Sequence, residues 1–372
     1  MNILFLNIYK LYNHDSVLKA FREAGHKVED VFFPTPESFY HDDSLEEKIK
    51  KLLASDRFDM VFTINFWPVI AYAVHDAVPT IPYISWSYDS PLNCDDLSSM
   101  VFDNNIIFLF DRGETQAFKK LGVNTVRHLP LAVPIKPFRR TAKKYDFSLL
   151  GSLYETAWNE VMNSASERQK GYMEAVLFSQ QKVYGEFLSD MILTDDLFPG
   201  ISKKQLSFLT AQEATRRDRL ALVSLLSKRG NFCLVTGSDT SSLKGLFGSA
   251  KILPPMDYKK EMPELFRSTK INLNPPLRAI RTGINLRALD IISEGAFLLS
   301  GFLPELLEYF TIGDEVETYS SLEEALEKAI FYAGNDEARE SVAMKGREKC
   351  LSCFCYEDRI EKIISAANEL LS

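Results

Sequence analysis

Short apolar strands alternate with amphipathic helices along this chain, and the series runs twice. In the first half ILFLNI, HKVEDVFF, FDMVFTIN, IPYISW and NIIFLF read as strands, and TVRHLPLAV closes the series. The spacing predicts helices over 16–24, 44–55 and 68–76, with GETQAFKKLG as a further short one. Asp15 or Ser16 is the expected cap of the first helix and Gly25 its end, while Ser44 and Glu47 fit a capping box on the second. Pro134, Pro137 and the basic run 139–144 read as a linker, after which YDFSLLGSL restarts the pattern. Residues 155–229 are helical in pattern, broken by PGIS at 199–202. NFCLVTG, AKILPP, KINLNP and residues 296–299 then read as strands, and helices close the chain. Strands alternating with helices pack as a parallel sheet covered on both faces. The prediction is an α/β chain of two parallel-sheet domains, 1–138 and 139–372, with a helical insert near the start of the second. A length of 372 residues and a hydrophobic content of 46% suit two such cores.

In open parallel sheets, ligands sit beyond the carboxyl ends of the strands. Two such domains are expected to face each other across a cleft. The loops that matter are therefore those after strands: Asn7 to Asn13, Asn65-Phe66-Trp67, Ser85 to Pro91, Asp111-Arg112, Gly151-Ser152, Thr236 to Asp239 and Asn274 to Arg281.

The stretch RAIRTGINLRALDIISEGAFLLSG, Arg278 to Gly301, carries the most chemistry. A basic loop with Arg278 and Arg281 leads through Thr282 and Gly283 into a helix predicted over 284–294. That helix contains Asn285, Leu286, Arg287 and Asp290, and Gly295 ends it. A helix start behind a glycine joint offers free N–H groups and a positive dipole end to an anion. Arginine forks match phosphate oxygens, and a carboxylate two turns in suits ribose hydroxyls. The local reading is a nucleotide-diphosphate pocket. The plain alternative is a solvated basic loop before an ordinary amphipathic helix.

Gly151-Ser152 and Thr236 to Asp239 end strands, where glycine lets a phosphate approach the backbone. SWSYDSP brings Trp86, Tyr88 and Asp89 to the end of a central strand. Aromatic faces and carboxylates hold sugars, and Asp89 is placed to accept a proton from a hydroxyl, or else simply starts the turn before Pro91. Asn65 is expected to cap the following helix, with a ligand contact as the second reading. Of the loop histidines, His14 and His128, the latter is the better placed for a cleft. Cys350, Cys353 and Cys355 straddle a predicted helix end and read as small buried residues rather than zinc ligands, since no partner His or Cys lies near in sequence.

The net charge of −8 disfavours a nucleic-acid footprint. No apolar run approaches the roughly 18 residues of a membrane span. The N-terminal apolar run is too short for a signal peptide, and the cysteine count of five is odd, so reduced thiols and a cytoplasmic location are expected. G-x-G-x-x-G after the first strand, G-x-x-x-x-G-K-[ST] and G-x-S-x-G are all absent, which disfavours a standard dinucleotide enzyme, a P-loop ATPase and a hydrolase of the nucleophile-elbow type.

Several segments taken together resemble the spore-maturation-protein-like glycosyltransferases, a branch of the group 1 enzymes with the GT-B fold. They are FDMVFTINFWP, YISWSYDSPL, FLFDRGE, HLPLAVP, YDFSLLGSLYE, TKINLNPPLRAIRTGINLRALDIISEGAFLLSG, GDEVETYSSLEEALEKAIFY and GREKCLSCFCYEDR. The resemblance covers nearly the whole chain and is weakest over 155–215. It implies two Rossmann-like domains, a nucleotide-sugar donor on the second, an acceptor mainly on the first, and a last helix that crosses back to the first domain. Gly151 and Ser152 would meet the diphosphate, Arg281 and Arg287 phosphate or sugar, and Asp290 the ribose. The group pattern places two acids eight positions apart. Asp290 fills the second place, whereas Thr282 stands in the first.

The resulting expectation is a glycosyltransferase that moves a sugar from a nucleotide-diphospho-sugar, UDP-linked, to a hydroxyl acceptor without a metal or other cofactor. Donor contacts are expected from Gly151, Ser152, Arg278, Arg281, Gly283, Asn285, Leu286, Arg287 and Asp290. Asn65, Trp86, Tyr88 and His128 are expected on the acceptor side, with Asp89 as the base if the reaction inverts. The acceptor is left open among glycans, proteins and small molecules. Two rivals remain: a nucleotide-sugar epimerase or hydrolase of the same fold, and a non-catalytic nucleotide-sugar-binding partner of another transferase, which Thr282 favours.

Overall fold

The computed structural model describes residues 1–8, 11–92, 94, 96–243 and 245–372. The Asn7 to Asn13 loop singled out above therefore includes two residues, Tyr9 and Lys10, outside the described set. The chain divides into two compact units, Met1–Pro134 with Phe354–Ser372, and Ile135–Cys353.

The first unit runs β1 (Asn2–Ile8), α1 (His14–Glu23), β2 (Lys27–Phe33), α2 (Asp43–Leu53), β3 (Met60–Ile64), α3 (Pro68–Ala77), β4 (Tyr83–Ser87), β5 (Asn105–Leu109), α4 (Arg112–Lys120) and β6 (Val126–His128). The strands form one parallel sheet in the order β2-β1-β3-β4-β5-β6. Every residue of β3, β4 and β5 is buried, as expected of strands with helices on both faces. The cap of α2 is Asp42, whose side chain accepts from the Leu45 N–H at 2.9 Å, and not Ser44. A carboxylate at the true Ncap leaves Ser44 inside the first turn.

The second unit runs β7 (Tyr145–Leu150), α5 (Trp158–Ser164), α6 (Glu167–Lys182), α7 (Leu188–Ile192), α8 (Lys203–Leu226), β8 (Phe232–Val235), β9 (Lys251–Leu253), α9 (Glu261–Ser268), β10 (Thr269–Asn274), α10 (Leu286–Ser293), β11 (Leu298–Gly301), α11 (Pro304–Tyr309), β12 (Glu317–Tyr319), α12 (Leu322–Gly334) and α13 (Asp336–Cys353). Its strands are parallel in the order β12-β11-β10-β7-β8-β9. Counted within the unit this is 3-2-1-4-5-6 read from the other edge, the doubly wound nucleotide-binding order. Helices α5 to α8 form the insert, with a small core of their own around Trp158, Met173, Leu177, Phe198 and Leu206. Helices α6 and α8 open with complete capping boxes, Ser166 with Gln169 and Ser202 with Gln205.

The last helix, α14 (Tyr356–Leu371), groups with the first unit. It packs on α1, and Arg359 Nε donates to the Pro130 carbonyl at 2.8 Å. The boundary before the second unit falls after Pro134, a few residues ahead of 138, because Lys136 and Phe138 already contact the second unit. Lys136 Nζ pairs with Glu294 at 3.0 Å, and Phe138 lies against Gly295.

Candidate functional site

In the second unit the winding direction reverses between β7 and β10, and the crevice at the carboxyl ends of two such strands is where ligands enter folds of this order. Gly151 follows β7 with φ +154°, and a Cβ there would stand 3.1 Å from Arg219 Nη1. A side chain there would be strained by the backbone and would press on the Arg219 guanidinium. Ser152 Oγ accepts the Tyr154 N–H at 2.9 Å, and Ser238 Oγ, after β8, accepts the Leu153 N–H at 2.9 Å. These bonds tie the loops after β7 and β8 into one rim.

Across the reversal, Asn274 at the end of β10 and Asn285 at the Ncap of α10 exchange amide hydrogen bonds at 2.9 and 3.0 Å. Asn274 Nδ2 also donates to Ser300 Oγ at 2.9 Å. The Asn285 side chain therefore pins the helix start to two strand ends and makes no capping bond to its own helix. The first N–H groups of α10, on Leu286 and Arg287, have no side-chain cap, so the positive end of the helix stays available to an anion at the strand edge. The Leu286 side chain is core, at 7% exposure, and Gly283 is buried.

Arg287 lies 3.6 Å from Asp290 Oδ2, and the Tyr258 hydroxyl donates to Asp290 Oδ1 at 2.7 Å. Burial pushes the Asp290 carboxyl up to about 6, against the opposing pull of the Arg287 charge and the Tyr258 bond. Tyr258 sits after β9, so strand-end reasoning reaches it as readily as the loops considered above.

The two arginines of the basic loop face elsewhere. Arg278 is buried, with Nε on Asp218 Oδ2 at 2.8 Å, Nη1 on the Val183 carbonyl at 3.0 Å and Nη2 on the Gln181 carbonyl at 3.1 Å. Its guanidinium also lies 3.3 Å above the Tyr184 ring. The expected donor contact is corrected: Arg278 locks the loop onto α6 and α8, where only a fully satisfied guanidinium can be buried. Arg281 bonds Asp190 of α7 at 2.6 Å and lies over Phe187, with a quarter of its side chain exposed.

Thr282 donates its hydroxyl to Glu305 Oε1 at 2.8 Å, and the Glu305 N–H returns to the Thr282 carbonyl at 3.0 Å. Glu305 is only 1% exposed. A carboxylate thus stands beside the place where the family resemblance predicts an acid, brought there from a later helix. Arg219 and Glu305 are the residues that sequence reading missed. Neither carries a local mark, since each lies inside an otherwise ordinary helical pattern.

In the first unit, Asn65 has φ +61°. Its Nδ2 donates to Asp89 Oδ2 at 2.7 Å, and its Oδ1 accepts the Tyr88 N–H at 2.7 Å. It does not cap α3, whose Ncap is Trp67. The left-handed turn aims the amide across at the β4 loop. From the other side, buried Glu114 of α4 accepts from Ser90 Oγ at 2.8 Å and from the Leu92 N–H. The loop that carries Asp89 is therefore held from two neighbouring strand ends, while Asp89 itself, bonded by Asn65, remains accessible to solvent. Desolvation by the surrounding loops raises its carboxyl above the usual range, and the Asn65 bond partly opposes this. Trp86 is fully buried, with Nε1 on the Leu129 carbonyl at 3.2 Å, so it offers no face to a sugar, contrary to expectation. Tyr88 is half-buried, 4.9 Å from the Trp86 ring. His128 ends β6, with Nε2 3.2 Å from the Phe110 carbonyl. His14 is buried, between Asn7 at 3.2 Å and Asp30 at 3.1 Å.

Cys350 is fully buried and Cys353 and Cys355 half-buried. Among the described residues no three His, Cys, Asp or Glu side chains gather at metal-ligating spacing, and no helix is long and apolar enough to cross a membrane.

Residues 217–365 match the family model described as glycosyl transferase-like. No curated protein matches the sequence. Among solved structures, AviGT4, a glycosyltransferase involved in avilamycin A biosynthesis, is similar over 100% of this chain and 98% of its own, with 13% identity and a TM-score of 0.58. Sucrose-phosphate synthase from Thermosynechococcus elongatus covers 100% and 99%, with 10% identity and a TM-score of 0.62. Anabaena HepE, solved with UDP and glucose, covers 98% and 100%, with 11% identity and a TM-score of 0.56. The chain has the GT-B fold, two Rossmann-like α/β units, and residues 217–365 are similar to a glycosyl transferase-like family model.

Proposed function

We propose that this protein is a glycosyltransferase that transfers a hexose from a UDP-linked donor to a hydroxyl acceptor without a metal. The observation that carries the reading is the β7/β10 crossing point. A loop that opens on Gly151, an uncapped helix start with Arg287, and the Asp290–Tyr258 pair occupy one strand edge. Gly151, Ser152 and the α10 N–H groups take the diphosphate, Arg287 stabilises it, and Asp290 accepts from the ribose. Solved neighbours with UDP, such as HepE, support this choice of nucleotide.

In the reaction an acceptor oxygen bonds to the anomeric carbon. The bond from that carbon to the diphosphate oxygen breaks, and its electron pair leaves with UDP. Preorganised N–H groups and a guanidinium act most strongly on that growing charge, which is why no metal is required of the mechanism. In an inverting reaction Asp89 takes the hydroxyl proton, and its raised carboxyl is closer to the operating pH than an ordinary aspartate. Asp89 lies on the acceptor side with Asn65 and Tyr88. The Glu305 carboxylate beside Thr282 supports the catalytic reading over a non-catalytic nucleotide-sugar-binding partner.

Incubation with UDP-hexoses and a panel of hydroxyl acceptors tests the reading. Acceptor-dependent release of UDP with a new glycoside is expected, and Asp89→Asn should lose about 100-fold or more in turnover while still binding UDP. UDP-hexose consumed without any acceptor, giving free sugar or an epimer, would replace transfer by the rival chemistry.

A further inference from the structure

Arg219 stands on α8 at the β7/β10 crossing point, where no sequence motif places a cation. Its Nη1 donates to the Ser152 carbonyl, and its Nη2 and Nε donate to the Pro275 carbonyl at 2.8 and 3.3 Å. The loop after β7 and the loop after β10 are thus clasped by one guanidinium. The Tyr154 ring lies 4.9 Å away, and a Cβ on Gly151 would press on Nη1 at 3.1 Å. Both hydrogen-bond acceptors are neutral carbonyls. Its sequence neighbour Asp218 is engaged by Arg278 through both Nε and Nη2 at 2.8 Å. Arg287 is close enough to act on Arg219 as a like charge. Two cations therefore stand at one half-buried strand edge, where Asp218 is bonded by Arg278 and Asp290 lies 3.6 Å from Arg287. Charge in such a place is unfavourable unless an anion completes it, and a planar fork fits two phosphate oxygens.

We propose that Arg219 is a diphosphate-binding residue of the donor site, completing with Arg287 a two-arginine cradle while it holds the β7 and β10 loops at their working separation. This rests on the reading of the crossing point as the donor site and deepens it. The cradle selects a nucleoside diphosphate over a monophosphate, because two guanidinium groups meet two phosphates.

The test is calorimetric titration of the full chain with UDP and with UMP, at several salt concentrations, for the wild type, Arg219→Gln and Arg219→Lys. In Arg219→Gln, UDP affinity should fall at least tenfold, its salt dependence should flatten, and the preference for UDP over UMP should shrink. Arg219→Lys should keep the salt dependence and recover part of the affinity, since the charge remains and the fork is lost. Unchanged UDP affinity in Arg219→Gln overturns the proposal. So does a loss with unaltered salt dependence, which would make Arg219 a loop clasp only. If Arg219→Gln does not fold, Arg219→Lys decides, and wild-type affinity for UDP in that variant overturns the proposal. Failure of the wild type to bind UDP is a different result, which removes the donor reading itself.

Discussion

Burial pushes the Asp290 carboxyl up to about 6, above an ordinary aspartate. The raised folded-state value means that the folded chain holds this proton more tightly than the unfolded one. Its contribution to stability is fully present below about pH 4 and is lost as pH rises through 6. Asp290→Asn should therefore melt higher than the wild type at pH 8, by up to about 2 kcal/mol after the altered Tyr258 bond is discounted, with the difference vanishing near pH 4. Function runs the other way. Accepting from a ribose hydroxyl favours the carboxylate, so wild-type UDP affinity should rise between pH 5 and pH 7, and in Asp290→Asn it should stay flat. A wild-type affinity flat across that range would remove Asp290 from the ribose. Arg278 makes the contrasting case. Arg278→Ala strands the Asp218 carboxylate in the protein interior and should cost about 3–5 kcal/mol in chemical denaturation. A cost under about 1 kcal/mol would show that the pair is not buried in solution. Sequence could not sort Arg278, Arg281 and Arg287, because what separates them is where Asp218, Asp190 and Asp290 lie in space.

Loops at strand ends, rather than strands, carry the chemistry of this fold, and two of them depend on unusual backbone. Asn65 holds a left-handed conformation and bonds both Tyr88 and Asp89. Asn65→Gly relieves the backbone and removes the bonds, while Asn65→Ala removes the bonds and adds strain. Both should lose turnover to a similar extent, while Asn65→Ala should also lose about 1 kcal/mol more stability than Asn65→Gly. Full activity in Asn65→Gly would free Asp89 from any need of that amide. Elements of this kind were readable in part. The apolar runs of β3, β4 and β5 and the helix-ending Gly295, at φ +67°, follow from composition and local geometry. The three-residue β12 did not stand out, since ETY has no apolar run and its burial is imposed by β11 and α12. Helix α10 starts at Leu286 rather than Ile284 because the Asn285–Asn274 amide pair, distant in sequence, fixes its first turn.

At the scale of the whole molecule, the first unit is discontinuous. Tyr356, Ile360, Ile363 and Ala367 of α14 are buried in it, although residues 129–355 separate α14 from β6. Truncation after Cys353 should lower the melting transition of the first unit and leave that of the second in place, read by calorimetry as two transitions. A single unshifted profile would contradict the division. The two parallel sheets and the helical insert were legible, but what the insert does was not. Its helical pattern was plain, whereas its hold on the loops after β7 and β10, through Asp190, Asp218 and Arg219, depends on packing alone. The central claim is that a nucleoside diphosphate binds at the β7/β10 crossing of the second unit. Titration with UDP, GDP, dTDP and CMP, on the wild type and on Arg287→Ala, tests it most directly. UDP should bind the wild type with a dissociation constant on the order of micromolar and lose at least tenfold in the variant. Failure of all four to bind the wild type, or equal UDP binding by Arg287→Ala, would contradict the account.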